Sequence, residues 1–182
     1  MRIELHGYAG DCTFDGSAEL PDGRLSDVLN RLERLELSEA VLTSLETGRA
    51  VSAGEVPVER GDLVAVHADG PAGEAERRIY MVRHVMRVLA GPYVIFGEFH
   101  TLPGIHAVRA FHGSRRGLAP LTGCRVAYAQ AGTLKVVQTP FLLVNLRHVD
   151  EVSPSSLDAA LDEIELWAAS LEQPAGALSV VA

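Results

Sequence analysis

The chain has 182 residues, of which 47% are hydrophobic and 22% are charged. This balance is ordinary for a globular protein, and it excludes a fully disordered or a collagen-like chain. The formal net charge of −8 argues against nucleic acid as a partner of the whole molecule, because phosphate contacts need clustered cations.

The ends and the cysteines bear on localisation. The first residues, MRIELHG, lack the basic stretch and apolar core of a secretory signal. No apolar run approaches the roughly 18 residues of a membrane-spanning helix. Cys12 and Cys124 are the only cysteines, so at most one disulfide can form. These features predict a reduced, cytoplasmic protein without a membrane span.

Residues 1–67 are predicted to form a first, acidic β unit. Residues 1–20 contain short β-like runs, and a turn follows at Pro21-Asp22-Gly23, where Pro and Gly favour turn conformations. Apolar residues at helical spacing predict a short helix over 25–32. Further strands are predicted over 35–45 and 49–67. Residues 68–76 are small, acidic and interrupted by Gly and Pro, which indicates a linker.

Residues 77–152 are predicted to form a second, basic β unit. Residues 79–88 and 93–99 flank Ala90-Gly91-Pro92 and favour a long hairpin. Arg83 and Arg87 fall on the strand face opposite Met86. Strands are also predicted over 124–130, 133–138 and 141–146, the last two separated at Thr139-Pro140.

Residues 153–182 are predicted to form an amphipathic helix and a tail. Ser155 and Asp158 resemble a capping box, and Pro174 with Gly176 would end the helix. The apolar stripe could dock a partner or a second subunit, or it could pack on the protein's own sheet. The members of this candidate interaction stripe are Leu157, Leu161, Ile164, Trp167 and Leu171.

Three pairs of segments resemble one another in order. They begin at Gly16 and Gly97, at Leu37 and Leu121, and at Val58 and Val144. The offsets are 81–82, 84 and 86 residues, which indicates a duplication with small insertions. The predicted fold class is therefore α+β, mainly antiparallel β, with two related barrel-like or meander units and a C-terminal helix. Units of about 60 residues have marginal cores, so the two should pack together.

Parts of both repeats match one motif. The first carries Leu-Pro-x-x-Arg-Leu-Ser-Asp-x-Leu-Asn, ending at Asn30, and the second carries Leu121-Thr122 and a Val-Asn-x-x-His-Val run from Val144 to Val149. Over residues 14–67 and 93–152 the chain thereby resembles a duplicated bacterial domain of unknown function. Neither copy carries the whole pattern. The resemblance implies a small β-rich fold and no particular activity.

The charges are unevenly distributed. Residues 1–76 hold 16 acidic and 6 basic groups, residues 77–152 hold 3 and 10, and residues 153–182 hold 5 and none. The segments could complement each other within one fold or between subunits. Alternatively, the middle segment could bind an anion through Arg forks. The candidate anion-binding residues are Arg83, Arg87, Arg109, His112, Arg115 and Arg116.

Other chemistry-bearing residues favour structural roles. His100, His106 and His112 recur every six residues, a spacing too wide for a typical zinc site. Both cysteines lie in predicted strands, where a free Cys is usually a small buried hydrophobe. Ser26 or Asp27 could cap the first helix, with Asn30 satisfying its end. No phosphate-loop, dinucleotide, hydrolase or metalloprotease motif is present in the sequence.

The sequence therefore predicts no metal, no cofactor and no catalytic residues, although it does not settle whether the protein is an enzyme. The first functional hypothesis is a non-catalytic binding or assembly module that forms a homo-oligomer or joins a protein complex. The alternative is a binder of small anions or nucleic acid that uses the basic second unit.

Overall fold

The computed structural model describes residues 1–69, 81–113 and 117–172. One antiparallel sheet of ten strands dominates these residues, in the order β10-β6-β7-β8-β9-β5-β1-β2-β3-β4. Three α-helices accompany it. The predicted α+β class with mainly antiparallel β structure is confirmed, whereas the sheet is open rather than a closed barrel.

The first half, residues 1–69, contains five strands and one short helix. The turn at Pro21-Asp22-Gly23 leads into that helix, as predicted, and its apolar residues Val28 and Leu29 are buried. The elements are β1 (Arg2–Tyr8), β2 (Cys12–Glu19), α1 (Leu25–Arg31), β3 (Arg34–Ser44), β4 (Ala50–Glu59) and β5 (Ala65–Asp69).

The second half, residues 81–154, has the same order of strands and α-helix with a 3-10 helix added before its last strand, and the C-terminal helix follows it. The predicted hairpin around Gly91 is present, with Ala90 paired to Tyr93. The elements are β6 (Val82–Ala90), β7 (Tyr93–Thr101), α2 (Ala107–His112), β8 (Leu118–Gln130), β9 (Thr133–Asn145), a 3-10 helix (Leu146–His148), β10 (Val149–Pro154) and α3 (Leu157–Glu172).

The two halves have the same strand order and meet at one junction. The first runs β5-β1-β2-β3-β4 and the second runs β10-β6-β7-β8-β9. β5 pairs with β9 at the junction, Ala65 opposite Val144 and Val66 opposite Leu143. This pairing makes one continuous sheet, and it leaves β4 and β10 as the two outer strands.

Both second strands carry a glycine at an irregularity in the pairing. The register shifts around Gly16 where β2 meets β3, and around Gly97 where β7 meets β8. A Cβ atom at Gly97 would lie 2.8 Å from the Cys124 Sγ atom and 3.1 Å from the Leu121 Cβ atom. The close approach of the neighbouring strand therefore requires glycine here.

The apolar core consists of two clusters, and each contains residues from both halves. The cluster formed mainly by the second half also includes Tyr8 and Val64, which are nearly inaccessible to solvent. The cluster of the first half includes Leu118 and Leu143 from the second. Since each half completes its core with side chains of the other, we expect the halves to unfold together.

Three local predictions are wrong. β9 continues through Thr139 and Pro140 as one strand, because the ladder with β8 keeps one register on both sides of Pro140 and only that position, which has no N–H to donate, is left without a pair. Ser156, rather than Ser155, caps α3, since its hydroxyl accepts the Ala159 N–H. The residue at the N-cap of α1 is Arg24, without a side-chain cap.

Two further expectations meet the limits of the described residues. Residues 70–76 of the predicted linker and residues 173–182 of the predicted tail lie outside them. Within the described residues, no helix combines the length and apolar character needed to cross a membrane.

Candidate functional site

Arg87, one of the predicted anion-binding residues, is already bound to carboxylates of its own chain. Its Nε atom lies 2.8 and 2.9 Å from the two Glu163 carboxylate oxygens. Its Nη2 atom donates to the Glu163 Oε1 atom at 2.7 Å, and its Nη1 atom lies 3.5 Å from the Glu151 Oε1 atom. Hydrogen bonding to Glu163 raises the pKa of the guanidinium. This arrangement fixes α3 over β6 through a bidentate contact.

The other predicted basic residues do not gather around Arg87. Arg83 lies on the same face of β6, 3.6 Å from Glu98. Arg109 and His112 are exposed in the last turn of α2, and α2 packs against β7 and β10. Arg115 and Arg116 lie outside the described residues. The described members of the predicted anion-binding set thus occupy two places, the outer face of β6 and the end of α2 beside β10.

The C-terminal helix packs on its own protein through part of the predicted stripe. Ile164, Trp167 and Leu171 are half-buried, together with the fully buried Ala160. Leu157 and Leu161 from the same stripe remain 52% and 44% exposed. Packing on the protein's own sheet is supported by the C-terminal part of the helix, which is half-buried. Docking of a partner is supported by its first turns, where two leucine side chains are exposed.

The contact between the halves depends on two asparagines. Asn145 is buried, and its Nδ2 atom donates to the carbonyl oxygens of Arg60 and Leu63 at 2.9 and 2.8 Å. Asn30 bonds both backbone groups of Leu118, at 2.9 and 3.2 Å. It also donates to the Ser26 carbonyl, which satisfies the end of α1 as predicted.

One further side chain bonds across this junction, and another supports Asn30 from within the first half. Arg60 donates to the Asn30 carbonyl at 2.6 Å, and the Nε2 atom of His148 lies 2.6 Å from the Gly61 carbonyl oxygen. Residue-by-residue reasoning missed the roles of Asn145 and His148, although both belong to the motif of the family resemblance. Motif residues therefore hold the two halves together.

An aromatic cluster lies beside the junction. Tyr8 of the first half makes edge contacts with Tyr93 and Tyr128 of the second, at centroid distances of 5.3 and 6.1 Å. The Tyr93 hydroxyl donates to the Ala9 and Cys12 carbonyl oxygens at 2.7 and 3.2 Å. Burial raises the pKa of Tyr8 and of Tyr93, so both phenols stay protonated and serve as hydrogen-bond donors or acceptors.

The histidines contact different partners. His84 lies 3.0 Å from the Thr101 hydroxyl, and His100 lies 2.7 Å from the Thr122 hydroxyl. His106 accepts the Arg109 N–H as the N-cap of α2. His6 contacts Asp15 and stacks on His67. Among the residues that the structure describes, no group of three His, Cys, Asp or Glu side chains could hold a metal ion.

A groove lies between the first half, the β6–β7 turn and α3. Its volume is about 790 Å³. Trp167 closes one side, Leu42 and Val51 of the β3–β4 hairpin line another, and Asp11 and Cys12 lie at the β1–β2 turn. Burial, followed by the charge and hydrogen bond of Asp11, raises the pKa of the Cys12 thiol to about 11. The thiol is therefore protonated at neutral pH and is a poor nucleophile.

Replacing Asp11 tests this account of Cys12. We expect Asp11→Asn to speed alkylation of Cys12 several-fold at pH 8, because removal of the negative charge favours the thiolate. In the unaltered protein the rate should rise about tenfold per pH unit up to the thiol pKa. Mass analysis of the Cys12 peptide after iodoacetamide treatment measures both effects. Glu46→Gln, at another groove acid, is the control, and equal rates in the two variants would contradict the assignment.

The outer strands of the sheet are the remaining candidate binding surface. Residues 50–55 of β4 are exposed on both faces of the sheet. β10 at the other end is exposed at Asp150 and Glu151 and half-buried at Val152. Backbone N–H and C=O groups along such edges can pair with another strand.

Comparisons with protein-family models, curated proteins and solved structures give no match to this chain. The resemblance to a duplicated bacterial domain therefore stays a prediction.

Proposed function

We propose that the protein is a non-catalytic binding and assembly module whose binding elements are the free edges of its sheet. The exposure of β4 carries this proposal. Ten residues form this strand, the described part of the chain pairs with only one of its edges, and its first six residues are exposed. Proteins usually shorten or cover such an edge when it has no partner.

We further propose that the two halves are copies of one small β unit. Their shared strand order supports this, and so do equivalent backbone bonds. Arg60 N–H donates to the Glu33 carbonyl at 2.8 Å, and Leu146 N–H donates to the Gly117 carbonyl at 2.7 Å. The two donors, Arg60 and Leu146, are 86 residues apart, and the two acceptors, Glu33 and Gly117, are 84 residues apart. The sequence repeats have the same offsets. The β5–β9 junction is then a contact between two related units.

The state of the nucleophilic groups supports a binding rather than a catalytic role. Burial raises the pKa of the Cys124 thiol to about 12, and that of Cys12 is raised as well. His100 and His148, the histidines most suited to a catalytic dyad, bond a threonine hydroxyl and a backbone carbonyl. These contacts suit side chains that stabilise the fold.

Hydrogen exchange and light scattering test the proposed function together. We expect the protein to be larger than a monomer or to copurify with a protein partner. Amides of β4 should exchange quickly in the free chain and become protected in the assembled state, while amides of β9 are protected in both. A strict monomer that copurifies with nothing, and whose β4 amides stay unprotected at all concentrations, would overturn the proposal.

A further inference from the structure

The junction inside the chain offers a template for contacts between chains. At the junction, the fourth strand of the second half (β9) pairs with the fifth strand of the first (β5). The strands that occupy these positions at the two ends of the sheet are β4 and β10. We propose that copies of the chain join head to tail, β4 of one copy pairing with β10 of the next. This inference rests on the proposed assembly function and names its partner.

The backbone of β4 is oriented for such a contact. At the junction, the Asn145 N–H donates to the Val64 carbonyl at 2.9 Å. Glu59 corresponds to Asn145 at the offset of 86 residues. The next residue, Arg60, donates its N–H toward β3, and successive residues of an antiparallel strand bond to opposite sides. The Glu59 N–H therefore points to the free edge, as the Asn145 N–H points to β5.

The free strands are more exposed than the equivalent strands at the internal junction, as this proposal requires. Leu143, Val144 and their partners Ala65 and Val66 are fully buried. On β4, the residues equivalent to Leu143 and Val144 are Pro57, which is exposed, and Val58, which is half-buried. On β10, the equivalents of Ala65 and Val66 are Glu151 and Val152. Head-to-tail pairing would place these two pairs opposite each other.

Each end of the sheet exposes residues of the charge that the proposed contact needs, beside Arg31 and Arg34 at the β4 end and Asp150 and Glu151 at the β10 end. Glu33 and Glu59 are exposed where β3 begins and β4 ends. Arg109 and His112 are exposed in the last turn of α2 beside β10. The equivalent helix at the internal junction, α1, uses its own last turn to bind the first residue of β8, through Asn30. In a head-to-tail contact the basic turn of α2 would approach Glu33 and Glu59 of the next copy, since Arg34 at the start of β3 is paired with Glu36 of its own strand.

The acidic residues of β10 itself are engaged by their own chain. An Asp150 carboxylate oxygen accepts the Gly91 N–H at 3.1 Å, and Glu151 lies 3.5 Å from Arg87. Repulsion between β10 and the acidic residues of β4 is reduced accordingly. Pro57 has no N–H, so one donor of the internal junction is missing. We therefore expect a weaker, salt-sensitive contact in which the charges decide whether pairing occurs.

The contact joins two different surfaces, and this allows a decisive mixing experiment. Glu33→Arg/Glu59→Arg damages only the β4 end, and Arg109→Glu/His112→Glu damages only the β10 end. All four side chains are exposed, so folding should be retained, which circular dichroism checks. Glu4→Arg/Glu19→Arg on the central strands β1 and β2 makes the same charge change as the first variant and is the matched control.

Sedimentation velocity of the full chain at low salt gives the result. We expect the unaltered protein and the control to self-associate, and each end variant to associate at least tenfold more weakly when alone. An equimolar mixture of the two end variants should associate again, because each supplies the unaltered end that the other lacks and the two reversed ends also carry opposite charges. Protection of the Glu59 amide of the Arg109→Glu/His112→Glu variant in that mixture completes the expected pattern.

Other outcomes separate this inference from the proposed function. Self-association that survives both variants, or that is lost in both and not restored by mixing, overturns head-to-tail pairing while assembly stands. A monomer that binds a different protein also overturns head-to-tail pairing and leaves the assembly function standing. A monomer that binds no protein overturns both proposals.

Discussion

Asn145→Asp is expected to lower the free energy of unfolding by about 3 kcal/mol or more at neutral pH. The Asn145 side chain is 2% exposed, and its amide donates to two carbonyl oxygens across the junction. A carboxylate there would face both oxygens without a proton to donate. Chemical denaturation, followed by circular dichroism, measures the loss.

The pH dependence of this variant distinguishes lost donors from a general packing defect. The carboxyl group introduced at position 145 would have a folded-state pKa above the unfolded value of about 3.9, because burial and the carbonyl oxygens disfavour its charged form. The penalty is present above the folded pKa and declines as the pH falls through it, since the neutral acid can donate one hydrogen bond.

Asn145→Ala provides the control, because alanine has no group that titrates. We expect it to cost about 1–3 kcal/mol, with no pH dependence beyond that of the unaltered protein. The difference between the two variants should shrink between pH 7.5 and pH 5. A cost below about 1 kcal/mol for Asn145→Asp, or a difference that stays constant, would contradict the assigned role of the amide.

Local patterns in the sequence were sufficient to predict several elements. Leu25, Val28 and Leu29 lie at helical spacing, and the helix α1 forms there. Strand alternation around Met86 placed Arg87 on the opposite face, and the structure buries Met86 while Arg87 reaches α3. Such features depend on residues close together in the chain, so a short window of sequence contains the signal.

The junction could not be derived from local patterns. Asn30 and Leu118 are 88 residues apart, and Asn145 and Arg60 are 85 residues apart. An asparagine after a helix, or at the end of a strand, is also typical of an ordinary cap or turn. Only pairing of β5 with β9 brings these groups together. The repeat and its motif marked the right residues without indicating what they contact.

The charge pattern is explained in part by the structure. Arg87 from the basic segment binds Glu163 from the acidic C-terminal segment, as complementary segments within one fold would require. The exposed acids near β4 and the exposed bases of α2 lie at opposite ends of the sheet order. Glu59 lies opposite Arg34 in the β3–β4 ladder, so part of the acidic charge near β4 is balanced within the chain, and the proposed contact would add the bases of α2.

Gly7→Ala is expected to cost about 2–3 kcal/mol of stability. Gly7 on β1 lies directly opposite Phe14 on β2, and the ring covers the space above the glycine. A Cβ atom at position 7 would lie 1.8 Å from the Phe14 Cζ atom and 2.3 Å from the Cε1 atom. Phe14 is only 3% exposed within the core of the first half, so it cannot move away without loss of packing.

A double-mutant cycle tests whether the ring is the cause. In a Phe14→Leu background, Gly7→Ala should cost less than about 1 kcal/mol, because the atoms that clash are absent. Gly10→Ala in the neighbouring turn is the matched control, since no atom lies within 4 Å of its Cβ position, and its stability should change by at most about 0.5 kcal/mol. If Gly7→Ala costs the same in both backgrounds, the penalty comes from the backbone, and the packing of Phe14 on Gly7 does not determine the stability of this hairpin.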